Sequence, residues 1–279
     1  MNDRKAQGGA SHVIGATDQP LLHMTIPEML ARTVASWPDR EAVVFPAQGV
    51  RWTWAEFAAE VDRLASGLLA LGVSKSDRVG IWSPNRVEWL LTQFATARIG
   101  AILVCINPAY RKAELEFALN KVGCSTLIMA AAFKTSDYVG MIRELAPEMA
   151  SAEPGKLEAG ALPRLRNVIV TAEAPDGAFA FDDVMKMGAA DIAALDAITA
   201  TLDPDDAINI QFTSGTTGSP KGACLSHVNI VNNAHFVTAT MEFTEKDRLC
   251  IPVPFYHCFG MVMGTLGCAT KGAALIVPG

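Results

Sequence analysis

Apolar residues fall at Phe57, Val61, Leu64, Leu68 and Leu71, in alternating steps of four and three. That spacing lines one face of an α-helix. Thr53 followed by Glu56 opens the segment as a capping box, so the pattern predicts an amphipathic helix over 53–71. Thr25 with Glu28, and Asn85 with Glu88, give the same start signal before apolar stretches at 29–34 and 87–94. Short unbroken apolar runs at 42–45, 79–82, 101–106, 126–129, 168–170, 208–212, 249–253 and 273–277 read as strands covered on both faces. Helices and strands alternate, which predicts an α/β fold of layered, mixed or parallel sheets flanked by helices.

The pattern weakens between 150 and 206, where Pro154, Gly155, Pro163, Pro175, Gly177 and Pro204 interrupt it. A surface excursion is expected there, with Asp203, Asp205 and Asp206 forming a solvated face and not a metal site. The first twenty residues hold no apolar run of the kind a secretory signal needs and read as a mobile tail on a cytoplasmic protein. The longest apolar tract, 258–269, contains Gly260, Gly264 and Gly267 and ends at Thr270 and Lys271, short of the roughly 18 residues of a membrane span. No transmembrane segment is expected. The balance of 23 basic against 29 acidic side chains gives a net charge of −6, which argues against a nucleic-acid partner. Cys105, Cys124, Cys224, Cys250, Cys258 and Cys268 form no CxxC pair, so free and mostly buried thiols are expected in place of disulfides or zinc. Trp52, Trp54, Trp82 and Trp89 read as core or helix-face aromatics.

Chemistry concentrates in INIQFTSGTTGSPKGACLSHVNIV, residues 208–231. A strand runs into a loop rich in hydroxyls and glycines, then Pro220, Lys221 and Gly222, with a helix expected from about Ser226. Glycines let backbone N–H groups turn toward an anion, hydroxyls donate further hydrogen bonds, and Lys221 carries a full positive charge. The loop therefore suits polyphosphate. It is not a Walker A loop, because Gly218 is followed by Ser219 and Pro220 instead of Lys and a hydroxyl residue. By composition alone it is equally a ligand-free surface loop.

The ordered string TSGTTGSPKG resembles the phosphate-binding signature of the adenylate-forming (AMP-binding) superfamily, which includes acyl-CoA synthetases, luciferases and peptide-synthetase adenylation domains. ATARIGAILVCINPAYRKAELEFAL, 95–119, is similar to that family's earlier helix-strand-helix element, with Asn107 and Pro108 after the strand. IPVPFYHCFG, 251–260, is similar to the element lining its acyl pocket. The wording looks closest to the fatty acyl-CoA synthetase branch. The resemblance covers nearly all of 26–279 and implies that residues 21–279 form the first part of an AMP-binding N-terminal domain, with its sheets incomplete.

It further implies that Thr213, Ser214, Gly215, Thr216, Thr217, Gly218 and Lys221 take phosphate-loop positions, Lys221 also serving catalysis. His257 and Phe255 take substrate positions. The implied reaction uses ATP, Mg²⁺ and CoA to convert a small carboxylic acid, a fatty acid, into an acyl-adenylate and then an acyl-CoA. No metal ligand is assigned. As a bare feature His257 is either a packed histidine or, by resemblance, a neighbour of the substrate carboxylate; a dyad with Cys258 is not expected, since adjacent residues point apart. Motifs for ribose, Mg²⁺ and a mobile lysine are not found before Gly279. The chain by itself is therefore expected to make no acyl-CoA and to expose an unpaired sheet edge. Two rivals remain: another adenylate-forming enzyme, or a truncated product that binds nucleotide without catalysis. Acyl chain length and oligomeric state are not legible.

Overall fold

A computed structural model describes residues 19–188, 191–213 and 220–278. The tail expected over 1–20 thus falls almost wholly outside the described residues, as do Ser214, Gly215, Thr216, Thr217 and Gly218 of the phosphate loop.

The strands are β1 (Glu41–Phe45), β2 (Val50–Thr53), β3 (Arg78–Trp82), β4 (Ile102–Cys105), β5 (Thr126–Met129), β6 (Ala132–Phe133), β7 (Ser136–Asp137), β8 (Asn167–Val170), β9 (Phe179–Ala180), β10 (Ala207–Thr213), β11 (Lys221–Ser226), β12 (Arg248–Cys250) and β13 (Ala274–Ile276). The helices are α1 (Ile26–Ser36), α2 (Trp54–Ala70), α3 (Val87–Arg98), α4 (Lys112–Val122), α5 (Tyr138–Leu145), α6 (Phe181–Met187), α7 (Ile192–Thr199), α8 (His227–Thr240) and α9 (Gly267–Lys271), with a π-helix over Phe259–Leu266. One sheet has the order β11-β10-β4-β3-β5-β8-β9, parallel except for the β10–β11 hairpin; a smaller one runs β12-β13-β1-β2. The expected layered α/β architecture is what the chain adopts.

Strand periodicity explains why the runs are apolar throughout. Ile81 and Ile128 face an inner core shared with both sheets and with α1, α2, α3 and α8, while Trp82, Leu127 and Met129 face an outer core under α4 and α5. With both faces covered, every position along such a strand is buried. Helix α2 lies where its spacing predicts, burying Phe57, Val61, Leu64 and Leu68. Its capping box forms, with Thr53 Oγ1 accepting from the Glu56 N–H at 3.2 Å and Glu56 Oε2 accepting from the Thr53 N–H at 2.8 Å. Helix α1 closes the same way through Thr25 and Glu28.

The third capping expectation fails. Arg86, not Asn85, is the N-cap of α3, and Glu88 takes the Arg86 guanidinium at 2.8 Å and the Gln48 amide at 3.0 Å. Asn85 instead spends its side chain on a backbone segment 168 positions away, whose donor and acceptor match its amide.

The 150–206 excursion also needs correction. It contains β8, β9, α6 and α7, and buries Leu157, Leu162, Leu165, Phe181, Val184 and Leu195. Leu157, Leu162 and Leu165 enter the outer core from irregular chain, while Phe181, Val184 and Leu195 enter the inner core from helices of only seven and eight residues, too short to show a period. In the acidic cluster Asp203 and Asp205 are exposed, as expected; Asp206 pairs with Lys75 at 2.7 Å and accepts from the Asp203 N–H at 2.8 Å, while Asp205 meets His23 at 3.5 Å. All six cysteines are free, with Cys224 and Cys250 exposed contrary to the mostly buried expectation. They sit on β11 and β12, strands whose outward positions are uncovered.

His227, the first residue of α8, is fully buried, and its Nδ1 accepts from the Ile26 N–H at 3.1 Å, tying α8 to α1. Burial lowers its pKa to about 4, against the opposing pull of Asp206 and Glu28 and with a small contribution from Lys75. The unfolded chain therefore binds a proton at this site between about pH 6.5 and 4 that the folded chain refuses, so stability is full above that window and falls as pH drops through it. The expected loss is up to about 3 kcal/mol by pH 4. Urea titrations of wild type and His227→Phe across pH 4–7 check this; the variant's curve should be flatter by that amount.

Candidate active site

The connections leaving β3 and β4 depart to opposite faces of the large sheet, α3 into the inner layer and α4 to the outer. A crevice outside the carboxyl ends of parallel strands is the expected result, and it is where ligands bind in open α/β sheets. Two cavities occupy this edge. One, of about 550 Å³, is lined by Cys105 at the end of β4, by Gln211, Phe212 and Thr213 at the end of β10, and by His257 and Cys258. The other, of about 450 Å³, lies beside Asn85, Pro108, Lys134 and Pro254, and the two share Asn107 and Tyr256 as a common wall.

The phosphate-loop flanks meet on the hairpin. In the β10–β11 register Thr213 stands opposite Lys221, and the Thr213 hydroxyl donates to the Lys221 carbonyl at 3.4 Å. Directly opposed residues of an antiparallel pair point to the same face, so the Lys221 and Thr213 side chains share one face of the hairpin. Lys221 is exposed. Capping by Ser226 then starts α8 as expected, with Asn229 closing the box.

The Asn107–Pro108 turn is held from below. Tyr138 stacks on Trp82 with centroids 3.5 Å apart, and its hydroxyl donates to the Pro108 carbonyl at 2.5 Å. Asn107 Oδ1 accepts from the Ala109 N–H at 2.9 Å, which turns the chain toward Tyr110 and the larger cavity. Burial, with Glu114 adding to it, raises the Tyr110 hydroxyl pKa, so it faces the cavity as a neutral donor.

His257 is exposed to the cavity, and its Nδ1 accepts from the Phe259 N–H at 3.2 Å. A nitrogen that accepts carries no proton, so the neutral ring is the Nε2–H tautomer with that donor free to point away from the backbone. The thiols nearby are inert. Burial pushes Cys105 up to about 12, although the Asn209 amide donates to its sulfur at 3.3 Å, and burial also raises Cys258. Neither forms a thiolate at neutral pH, which removes the Cys/His dyad.

Phe255 does not line either described cavity. Its ring is fully buried against Phe45 at 6.3 Å and Trp89 at 5.3 Å, because the chain enters its turn with Phe255 facing the inner core. Trp54, Trp82 and Trp89 are likewise core residues, and Trp52 is half-buried. Gln211, Tyr110 and Tyr256 are lining residues that the sequence pattern did not single out. Gln211 Nε2 is buried with no hydrogen-bond partner among the described residues. The one signal for Gln211 was its place two residues before Thr213, a strand position indistinguishable from core by pattern.

With this geometry in view, the family model for AMP-binding enzymes matches residues 30–279. The chain belongs to the AMP-binding enzyme family. It is 47% identical over 271 residues to the mitochondrial medium-chain acyl-CoA ligase ACSF2 of Danio rerio, a match spanning 96% of this chain and 45% of the relative. The Homo sapiens protein of the same name is 44% identical over 276 residues, 97% of this chain and 45% of the relative. The inhibitor-bound N-terminal domain of FACL13 from Mycobacterium tuberculosis superposes with a TM-score of 0.73 at 27% identity, covering 92% of this chain and 57% of that one. The chain thus spans under half the length of these curated relatives.

Proposed function

We propose that this protein, over the full length its relatives share, activates a carboxylic acid with ATP and passes the acyl group to CoA, a medium-chain fatty acid being the first candidate. The observation that carries the reading is the larger cavity, lined by both Thr213 and His257, with Lys221 paired opposite Thr213 on the hairpin. A carboxylate is a poor acylating agent until one oxygen belongs to a good leaving group. Its oxygen attacks the α-phosphorus of ATP, the bond to the β-phosphate oxygen breaks, and pyrophosphate leaves. The CoA sulfur, its proton lost to solvent, then attacks the acyl carbon and AMP departs.

Thr213 and Lys221 oppose the charge that builds on the leaving phosphates, and His257 orients the acid by donating to a carboxylate oxygen. Mg²⁺ neutralises polyphosphate charge in such reactions. The described lining of the cavity carries no carboxylate, so these residues do not by themselves fit a resident Mg²⁺. The same lack disfavours an amino acid substrate, whose ammonium would need a buried anionic partner. The test is carboxylate-dependent ATP–pyrophosphate exchange by the full-length protein with fatty acids and amino acids in parallel. Exchange with medium-chain fatty acids is expected; preference for an amino acid overturns the substrate class.

A further inference from the structure

We infer that Asn85 is a positioning residue that sets His257 and Tyr256 in the cavity by standing in for a missing strand. Strand β12 ends at Cys250, Ile251 gives one more N–H to the Ile276 carbonyl at 2.9 Å, and Pro252-Val253-Pro254-Phe255 then includes two prolines that have no N–H to offer a ladder. The segment is instead paired by one side chain. Asn85 Nδ2 donates to the Val253 carbonyl at 2.8 Å, and Asn85 Oδ1 accepts from the Phe255 N–H at 2.7 Å. Accepting at one residue and donating two residues on is how a segment engages its neighbour in a parallel ladder, so the amide takes the place of a strand residue opposite Pro254.

The linkage continues to the imidazole. The Pro254 carbonyl accepts from the His257 N–H at 3.2 Å, and His257 Nδ1 accepts from the Phe259 N–H at 3.2 Å, which fixes the ring tautomer. The π-helix then closes directly on this turn: a Cβ at Gly260 would stand 2.4 Å from the Pro254 oxygen, so the turn and helix fit only with glycine there. Gln93 of α3 holds the helix from the same side, its Nε2 donating to the Met261 carbonyl at 3.2 Å. Asn85 is bonded to the segment preceding His257, whereas the Thr213–Lys221 end is held by the β10–β11 hairpin. The residue therefore acts on acid placement and not on phosphate placement.

This inference rests on the proposed acid-activating reading for its kinetic arm alone. In the 279-residue chain, Asn85→Ala should speed hydrogen exchange of the Phe255 amide about tenfold or more and move the His257 imidazole resonances, with the exchange of β3 and β4 amides unchanged. Asn85→Asp keeps the acceptor for the Phe255 N–H but sets an oxygen against the Val253 carbonyl, so it should move the His257 resonances too. In the full-length protein, either variant should lower kcat/KM for the acid about tenfold and leave KM for ATP unchanged. Unaltered Phe255 exchange and His257 resonances overturn the inference, as does a uniform loss in which both KM values and the thermal midpoint shift together. If the wild-type protein shows no acid-dependent exchange at all, the functional reading fails, and the amide-exchange and histidine measurements still decide the role of Asn85.

Discussion

Replacing Lys221 with alanine lowers acid-dependent ATP–pyrophosphate exchange by about ten- to a hundredfold in the full-length protein. The size follows from charge-assisted hydrogen bonds, worth about 1.5–3 kcal/mol when one partner is ionised, at about 1.4 kcal/mol per factor of ten. The register puts Lys221 opposite Thr213, a residue of the cavity lining, so in the proposed reading the hairpin carries the ammonium toward the charge that develops on pyrophosphate. Lys221 is exposed, so its loss should leave the thermal midpoint where it was. Lys221→Arg keeps the charge and should recover part of the rate, because the guanidinium binds phosphate with a different geometry. An exchange rate in the alanine variant equal to wild type removes Lys221 from the reaction.

How far the molecule was legible from its residues depended on whether the signal was local. The α2 period, the Thr25 and Thr53 caps and the buried parallel strands are each decided within a few positions, by side-chain spacing and by backbone groups that must be satisfied nearby. Strand β11 was not legible, since Lys221 to Ser226 alternates nothing apolar and pairs only because β10 lies beside it. The leucines of 150–206 are missed for a related reason, as Leu157, Leu162 and Leu165 join the outer core from irregular chain with no local period.

The site divides along the same line. Thr213 and Lys221 are singled out by a local string, and the register pairs them across the hairpin. Asn85 was misassigned because a residue that caps a helix and one that clamps a distant backbone are identical in sequence; only the 2.7 and 2.8 Å bonds to Phe255 and Val253 separate them. Gln211 and Tyr110 line the cavity through tertiary packing alone. Phe255 takes its substrate position from the resemblance of 251–260 alone, and its ring packs against Phe45 and Trp89 outside the described cavities.

Phe255→Ala is expected to damage the fold, not the substrate preference. The ring is wholly removed from solvent between Phe45 and Trp89, and its deletion leaves a cavity that neighbours on β1 and α3 cannot fill without moving. Truncating a buried phenylalanine costs about 3–5 kcal/mol, the sum of lost transfer energy and the void left behind. For a chain of this size that corresponds to a fall in thermal midpoint of roughly 10 °C. Phe255→Leu, which refills most of the volume, should restore the greater part of it. Assayed well below its midpoint, the alanine variant should keep the wild-type order of preference among acids of different chain length, because no atom of the ring borders the described cavities. A midpoint unchanged from wild type, together with a shift in preference toward longer acids, would instead put the Phe255 ring against the acyl chain.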